Sequence, residues 1–152
     1  MFSSLEKHPA IGWDFDLTLV NSPASDALQD FIKRTPGIRH YIITFRTHGL
    51  EDMVWSELAE CPAMLRETHF DGFFSIDKTA WMAFTRDERA RARGTLTGPL
   101  TDAERFYVEW KAQVCHENGI LVLVDDKLDH VSAGCSKYGI ELFDPLSFVS
   151  NR

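Results

Sequence analysis

Ile11-Gly12-Trp13-Asp14-Phe15-Asp16-Leu17-Thr18-Leu19-Val20 ends an apolar run in two carboxylates two residues apart, with a hydroxyl two residues further on. A buried strand ending in Asp-x-Asp-x-Thr delivers charge to the carboxyl edge of a sheet, where open α/β proteins bind ligands. Two uncompensated acids at such an edge repel and shift each other's pKa values, so the pattern calls for a cation or a shared proton. More than a hundred residues later, Leu121-Val122-Leu123-Val124-Asp125-Asp126-Lys127-Leu128-Asp129 repeats the arrangement, with acids where an apolar run stops.

Outward from these two stretches the chain alternates between strand and helix patterns. Pro9 to Trp13 reads as a first strand, and Ser22-Pro23-Ala24-Ser25 supplies a turn and a helix start. Ala27, Leu28, Phe31 and Ile32 recur at helical spacing between Ala24 and Arg34, and Pro36-Gly37 closes that segment. His40 to Thr44 is short, apolar and β-branched, a second buried strand. Leu50 to Glu60 follows as a helix, then Phe70 to Ile76 as a third strand. Leu100 to Asn118 is a helix opened by the cap-like Thr101-Asp102-Ala103-Glu104 and closed by Asn118-Gly119. Ile120 to Val124 is the fourth strand, Leu128 to Lys137 a helix, and Ile140 to Phe143 the fifth strand. Strands separated by helices predict a Rossmann-like α/β fold, a parallel five-stranded sheet flanked by helices in one domain over 1–152. Asp77 to Pro99 is longer than most connections and is expected as a small cap-like or lid insertion. It carries Trp81, Met82 and Phe84, then the run Arg86-Asp87-Glu88-Arg89-Ala90-Arg91-Ala92-Arg93.

The composition bounds the function. A formal charge of −7 argues against a general nucleic-acid binder, though it leaves room for a local basic patch. No apolar run approaches the roughly 20 residues of a membrane helix. The first ten residues carry Glu6, Lys7 and His8 and lack an apolar signal core, so a cytoplasmic location is expected. Cys61, Cys115 and Cys135 form no CxxC pair and read as reduced, packed thiols.

Asp14-Phe15-Asp16-Leu17-Thr18 resembles the first motif of the haloacid dehalogenase-like (HAD) phosphohydrolase superfamily, and three further stations match in order. Thr44, in Ile42-Ile43-Thr44-Phe45-Arg46, is similar to the second-motif Ser/Thr. Lys111, in the helix before the fourth strand, stands where the third-motif lysine is often found, with Lys78 as a rival. Asp125-Asp126 with Asp129 resembles the acidic fourth motif. The stations span Asp14 to Asp129. Leu17 stands where many relatives carry glycine.

The resemblance implies a Mg²⁺-dependent phosphomonoester hydrolase of the small or minimal-cap kind. Asp14 would attack phosphorus to form an aspartyl-phosphate, splitting one displacement into two. Asp16 would protonate the leaving oxygen and later deprotonate water. Thr44 and Lys111 would bind the phosphoryl oxygens. The implied Mg²⁺ ligands are Asp14, Asp125 and the backbone carbonyl of Asp16; an all-oxygen set suits magnesium rather than zinc. Thr18, Arg46, Asp126 and Asp129 are supporting or substrate-binding candidates; Asp126 and Asp129 are expected either to reach the metal through water or to orient Lys111.

Each of these residues also has a structural reading. Asp16 and Thr18 can cap a turn, and Asp129 can favour a helix start. The arginine run can be a solvated helical face or a contact with an anionic substrate or partner. His116 and Trp13 are expected to pack. The substrate classes compatible with the sequence are a nucleotide, a sugar phosphate and a macromolecular phosphate. A catalytically silent phosphate- or nucleotide-binding regulatory module of the same fold is the alternative, and nucleic-acid-end processing is a further one. A phosphorylation-dependent receiver domain is disfavoured by chain order, because its acid pair follows the first strand and here the pair follows the fourth.

Overall fold

The computed structural model describes residues 2–149; Met1 and residues 150–152, the ends of the expected domain, lie outside the described residues. Five strands form one parallel sheet: β1 (Ala10–Trp13), β2 (Arg39–Thr47), β3 (Gly72–Ile76), β4 (Val122–Val124) and β5 (Glu141–Phe143), in the order β3-β2-β1-β4-β5. The helices are α1 (Phe2–Leu5), α2 (Ser25–Arg34), α3 (Glu51–Ala59), α4 (Lys78–Ala92), α5 (Asp102–Glu117) and α6 (Leu128–Tyr138). The expected Rossmann-like α/β architecture is present. Among the described residues no helix is long and apolar enough to cross a membrane.

Strand alternation divides the core into two layers, because successive side chains point to opposite faces of a sheet. Ile11 and Trp13 of β1, Ile42 of β2, and Val122 and Val124 of β4 pack with Leu28, Phe31 and Ile32 of α2 and Val54 and Leu58 of α3. The intervening Ala10, Ile43 and Leu123 pack with Ala112 and Cys115 of α5 and Val131 and Cys135 of α6. α1 had no signal in the sequence pattern; its Phe2 stacks on Phe31 at 5.1 Å and closes the first layer.

One element differs from the sequence reading. β2 does not end at Thr44 but continues to Thr47. Its ladder with β1 stops at Trp13 opposite Ile42, while its ladder with β3 resumes after an irregularity between Thr44 and Thr47. The 77–99 segment is mostly the regular helix α4, capped by the Asp77 carboxylate, which accepts from the Ala80 N–H at 3.2 Å. Phe84 of α4 stacks on Tyr107 of α5 at 3.6 Å, and Tyr107 stacks on Phe45 at 4.1 Å. The inner side of α4 joins the core through Ala80 and Phe84.

Candidate active site

β1 and β4 are neighbours although more than a hundred residues separate them, and the connections from β1 and β4 run to opposite sides of the sheet. This is a topological switch point, where the two diverging connections open a crevice at the carboxyl edge. Asp14 follows the last residue of β1 and Asp125 the last of β4, and the Asp14 N–H donates to the Val124 carbonyl at 2.9 Å. Backbone pairing therefore sets the two acids side by side.

Lys111 completes the pair. On α5 the positions Glu104, Tyr107, Lys111, Val114 and Cys115 all turn inward, a helical stripe that carries an ammonium into the core. The Lys111 ammonium is fully buried and donates to Asp14 Oδ1 at 2.7 Å and to Asp125 Oδ2 at 2.6 Å. It also lies 4.3 Å from the centre of the Phe45 ring, a cation–π contact. The other oxygens of both acids are engaged as well. Thr18 Oγ1 donates to Asp14 Oδ2 at 3.0 Å, and the Lys127 N–H donates to Asp125 Oδ1 at 2.8 Å. Lys78, the rival lysine, stands exposed in the first turn of α4.

Charge in this cluster does not balance. Ligand oxygens of Asp14, Asp125 and Asp126 lie within 4.8 Å of one another, and the Lys111 ammonium bonds two of the three. Burial pushes the Asp14 carboxyl up to about 6, with Lys111 opposing the shift and Asp126 adding to it. Asp125 is raised by burial too, again against the pull of Lys111. Burial alone would depress the Lys111 ammonium, but Asp125 and Asp14 outweigh it and hold it above its ordinary value. Asp126 Oδ1 is buried with no hydrogen-bond partner. A buried acceptor left unsatisfied is costly, and a donor or a cation would satisfy it. The donor set is all oxygen, and a hard divalent cation fits both the chemistry and the excess negative charge.

Asp16 forms a second cluster beside the first. Its carboxylate accepts a two-pronged bond from Arg46, Nε to Oδ2 at 3.0 Å and Nη2 to Oδ1 at 2.8 Å. Glu57 of α3 takes the same Nη2 at 2.9 Å, and the guanidinium lies 4.8 Å from the Phe15 ring centre. Hydrogen bonding to Asp16 holds the Arg46 pKa above its ordinary value, against the effect of burial. The Asp16 side chain thus faces Arg46 and not the carboxylate cluster, which gains Asp126 in its place. Thr44 is buried in β2, its hydroxyl accepting the Arg46 N–H at 3.0 Å and keeping its own proton free to donate. Asp129, exposed in the first turn of α6, stays outside the cluster and hydrogen-bonds neither metal-ligand candidate nor Lys111; it lines an open concavity of about 430 Å³ with Asp126, Lys127, Leu128 and His130.

Sequence reasoning missed Glu57, Phe45 and the Arg91–Glu104 pair. Glu57 and Phe45 act through partners from other elements, which leave no local pattern. Glu104 was legible as a cap residue but not as a partner of Arg91, to which it is joined at 2.8 and 2.6 Å. Trp13 packs as expected, buried and donating to His40 Nδ1 at 3.0 Å, whereas His116 is exposed with its ring against Tyr138 at 5.2 Å. All three cysteines are free, and burial raises both Cys115 and Cys135, the latter to about 11, so neither thiol is poised as a nucleophile. Among known proteins, no family model, curated protein or solved structure matches this chain.

Proposed function

We propose that this chain is a Mg²⁺-dependent phosphomonoester hydrolase that works through an aspartyl-phosphate on Asp14. The observation that carries the reading is the Asp14–Lys111–Asp125 bridge at the switch point, with the orphaned Asp126 oxygen beside it. The HAD-like order of the motifs in the sequence adds to it.

Asp14 attacks phosphorus, forming a carboxylate O–P bond as the ester P–O bond breaks. The Lys111 ammonium keeps Asp14 oriented and offsets charge gathering on the phosphoryl oxygens. Thr18 fixes the second Asp14 oxygen, so one rotamer faces the substrate. Thr44 donates its free proton to a phosphoryl oxygen. Asp16, after it releases Arg46 and takes up a proton from solvent, gives that proton to the departing oxygen, then takes one from the water that breaks the acyl-phosphate bond. Both Asp16 oxygens bond Arg46 in the resting arrangement, so Asp16 releases Arg46 to reach substrate, and Glu57 retains the guanidinium. Asp14, Asp125, Asp126 and the Asp16 carbonyl would hold Mg²⁺, which supplies charge neutralisation for the phosphoryl group.

Phosphate release from a panel of phosphomonoesters, with Mg²⁺ or EDTA, tests the reading. Turnover is expected only with the metal, and Asp14→Asn should lose it by at least about a hundredfold. Asp16→Asn should lower the rate of leaving-group departure most for esters of poor leaving groups. One observation favours a second reading, a phosphate-binding regulatory module: both oxygens of the Asp16 carboxylate accept from Arg46. Tight phosphate binding without turnover on any ester would select it.

A further inference from the structure

The outer face of α4 has no role in the core or in the carboxylate site. Its inner face is used by Ala80 and Phe84, packed near Tyr107, and by Arg91, which turns toward α5 to bond Glu104. Outward, Trp81, Met82 and Thr85 are interleaved with Arg86, Arg89 and Arg93 around a shallow concavity of about 420 Å³. At 3.6 residues per turn, Lys78, Met82, Arg89 and Arg93 project within about 60° of one another. Trp81 is 38% and Met82 55% exposed, so both large apolar side chains face solvent. Arg86 is paired with the neighbouring Asp87 at 3.1 Å, yet its side chain remains 74% exposed. Among the described residues, Lys78, Arg89 and Arg93 have no ion-pair partner. Glu88 is the acid that borders the stripe, on its Trp81 side.

We infer that this face of α4 is a binding surface for single-stranded nucleic acid. In a chain of net charge −7, four cations along one helix face are a local inversion of sign, and they select an anionic ligand. A plain polyanion would use the arginines and leave the exposed indole and thioether idle. A single strand uses both, since unpaired bases stack on aromatic and guanidinium planes while phosphates pair with the cations. A duplex offers its phosphates but keeps its bases from Trp81. Lys78 to Arg93 spans about 22 Å of axial rise, room for several nucleotides. α4 begins directly after β3, so its Lys78 end lies at the carboxyl edge of the sheet and the arginines follow along the helix away from it. Binding there requires nothing of the reaction proposed above.

The test is fluorescence anisotropy with an unphosphorylated, labelled oligothymidylate of about twelve nucleotides, at about 50 and 200 mM salt. Binding is expected, weaker at the higher salt. Arg89→Glu with Arg93→Glu should weaken it about tenfold or more and flatten the salt dependence. Trp81→Ala should weaken it about tenfold while leaving the salt dependence in place. Asp14→Asn should bind like the parent, which separates this surface from the phosphatase reading. The α4 substitutions are all at exposed positions, and thermal melts check that these variants and Asp14→Asn are folded. No binding at the lower salt, unaltered affinity in the variants, or equal affinity for a duplex would overturn the inference. So would tighter binding of an acidic peptide, or a dimer in sedimentation that the arginine substitutions abolish.

Discussion

Lys111 is the residue on which the site depends most, because it is the cation that both buried acids share. Lys111→Met would leave Asp14 and Asp125 facing one another without it, and removing one partner of a buried pair costs about 3–5 kcal/mol. Urea unfolding near neutral pH should show that loss, and acidification should recover part of it as the acids protonate. Asp14 itself gives the parent protein an unusual slope. Its carboxyl is ordinarily at 3.8 and is pushed up to about 6 in the fold by burial, so the folded state binds the extra proton between those values. Unfolding free energy should therefore rise from this group as pH falls through about 6 toward 4, and Asp14→Asn should remove that rise in a pH series of melts without metal. Leu17 adds a third prediction. Its backbone sits in the left-handed region at φ 58° with a side chain 47% exposed, which glycine adopts without strain. Leu17→Gly should leave thermal stability unchanged or raise it by up to about 1 kcal/mol, since little packing is lost. At this scale the sequence was readable where chemistry was local: the acids and Thr18 sit within five residues of one another. The Asp16–Arg46–Glu57 cluster was not readable, because it joins the loop after β1 to β2 and α3 through side chains with no shared period.

The elements were legible wherever a periodic pattern met a cap. Thr101 and Glu104 announce α5, and in the structure each side chain takes the other's backbone N–H, at 3.1 and 3.0 Å. The Arg91 bond and this cap hold the Glu104 carboxyl down to about 2 from an ordinary 4.5. A depressed carboxyl contributes stability above its unfolded value and loses it as pH falls through the folded one. The stability contributed by Glu104 should therefore disappear between about 4.5 and 2, and Glu104→Gln should flatten that acid limb of a denaturation series. α5 also meets α6 at unusually close range. A Cβ added at Gly134 would stand 2.8 Å from Glu109 Cα and 3.0 Å from the Val108 carbonyl oxygen, both backbone atoms. Gly134→Ala should therefore destabilise by about 1–3 kcal/mol in thermal or urea melts despite alanine's better helix propensity. The extension of β2 was the element misread, and the inward packing of α4 left no clear signal. The charged run in 86–93 masked the inward Ala80 and Phe84, and an edge ladder with β3 carries β2 past its apolar stretch.

As a whole, the molecule is a three-layer α/β sandwich with its charge imbalance concentrated at one switch point. On the proposed reading, added Mg²⁺ should raise the melting temperature by an amount that grows with the logarithm of its concentration above Kd, as for any ligand of the folded state. The increase should vanish in Asp125→Asn, and it should shrink at acidic pH, where the Asp14 carboxyl takes up its proton. The sheet order places β1 against β4, Gly12 beside Leu123 and Trp13 beside Val124. Contacts between residues so distant in sequence form slowly, because a long stretch of chain must close before they reward it. During synthesis, β1 and its acid leave the ribosome long before the lysine helix and β4 exist. Asp14 then stays hydrated and titrates like any surface aspartate until the last third of the chain docks. Assembly of the charged centre is therefore a late event in the life of each molecule, and recovery of Mg²⁺ binding during refolding should lag behind the return of helical signal.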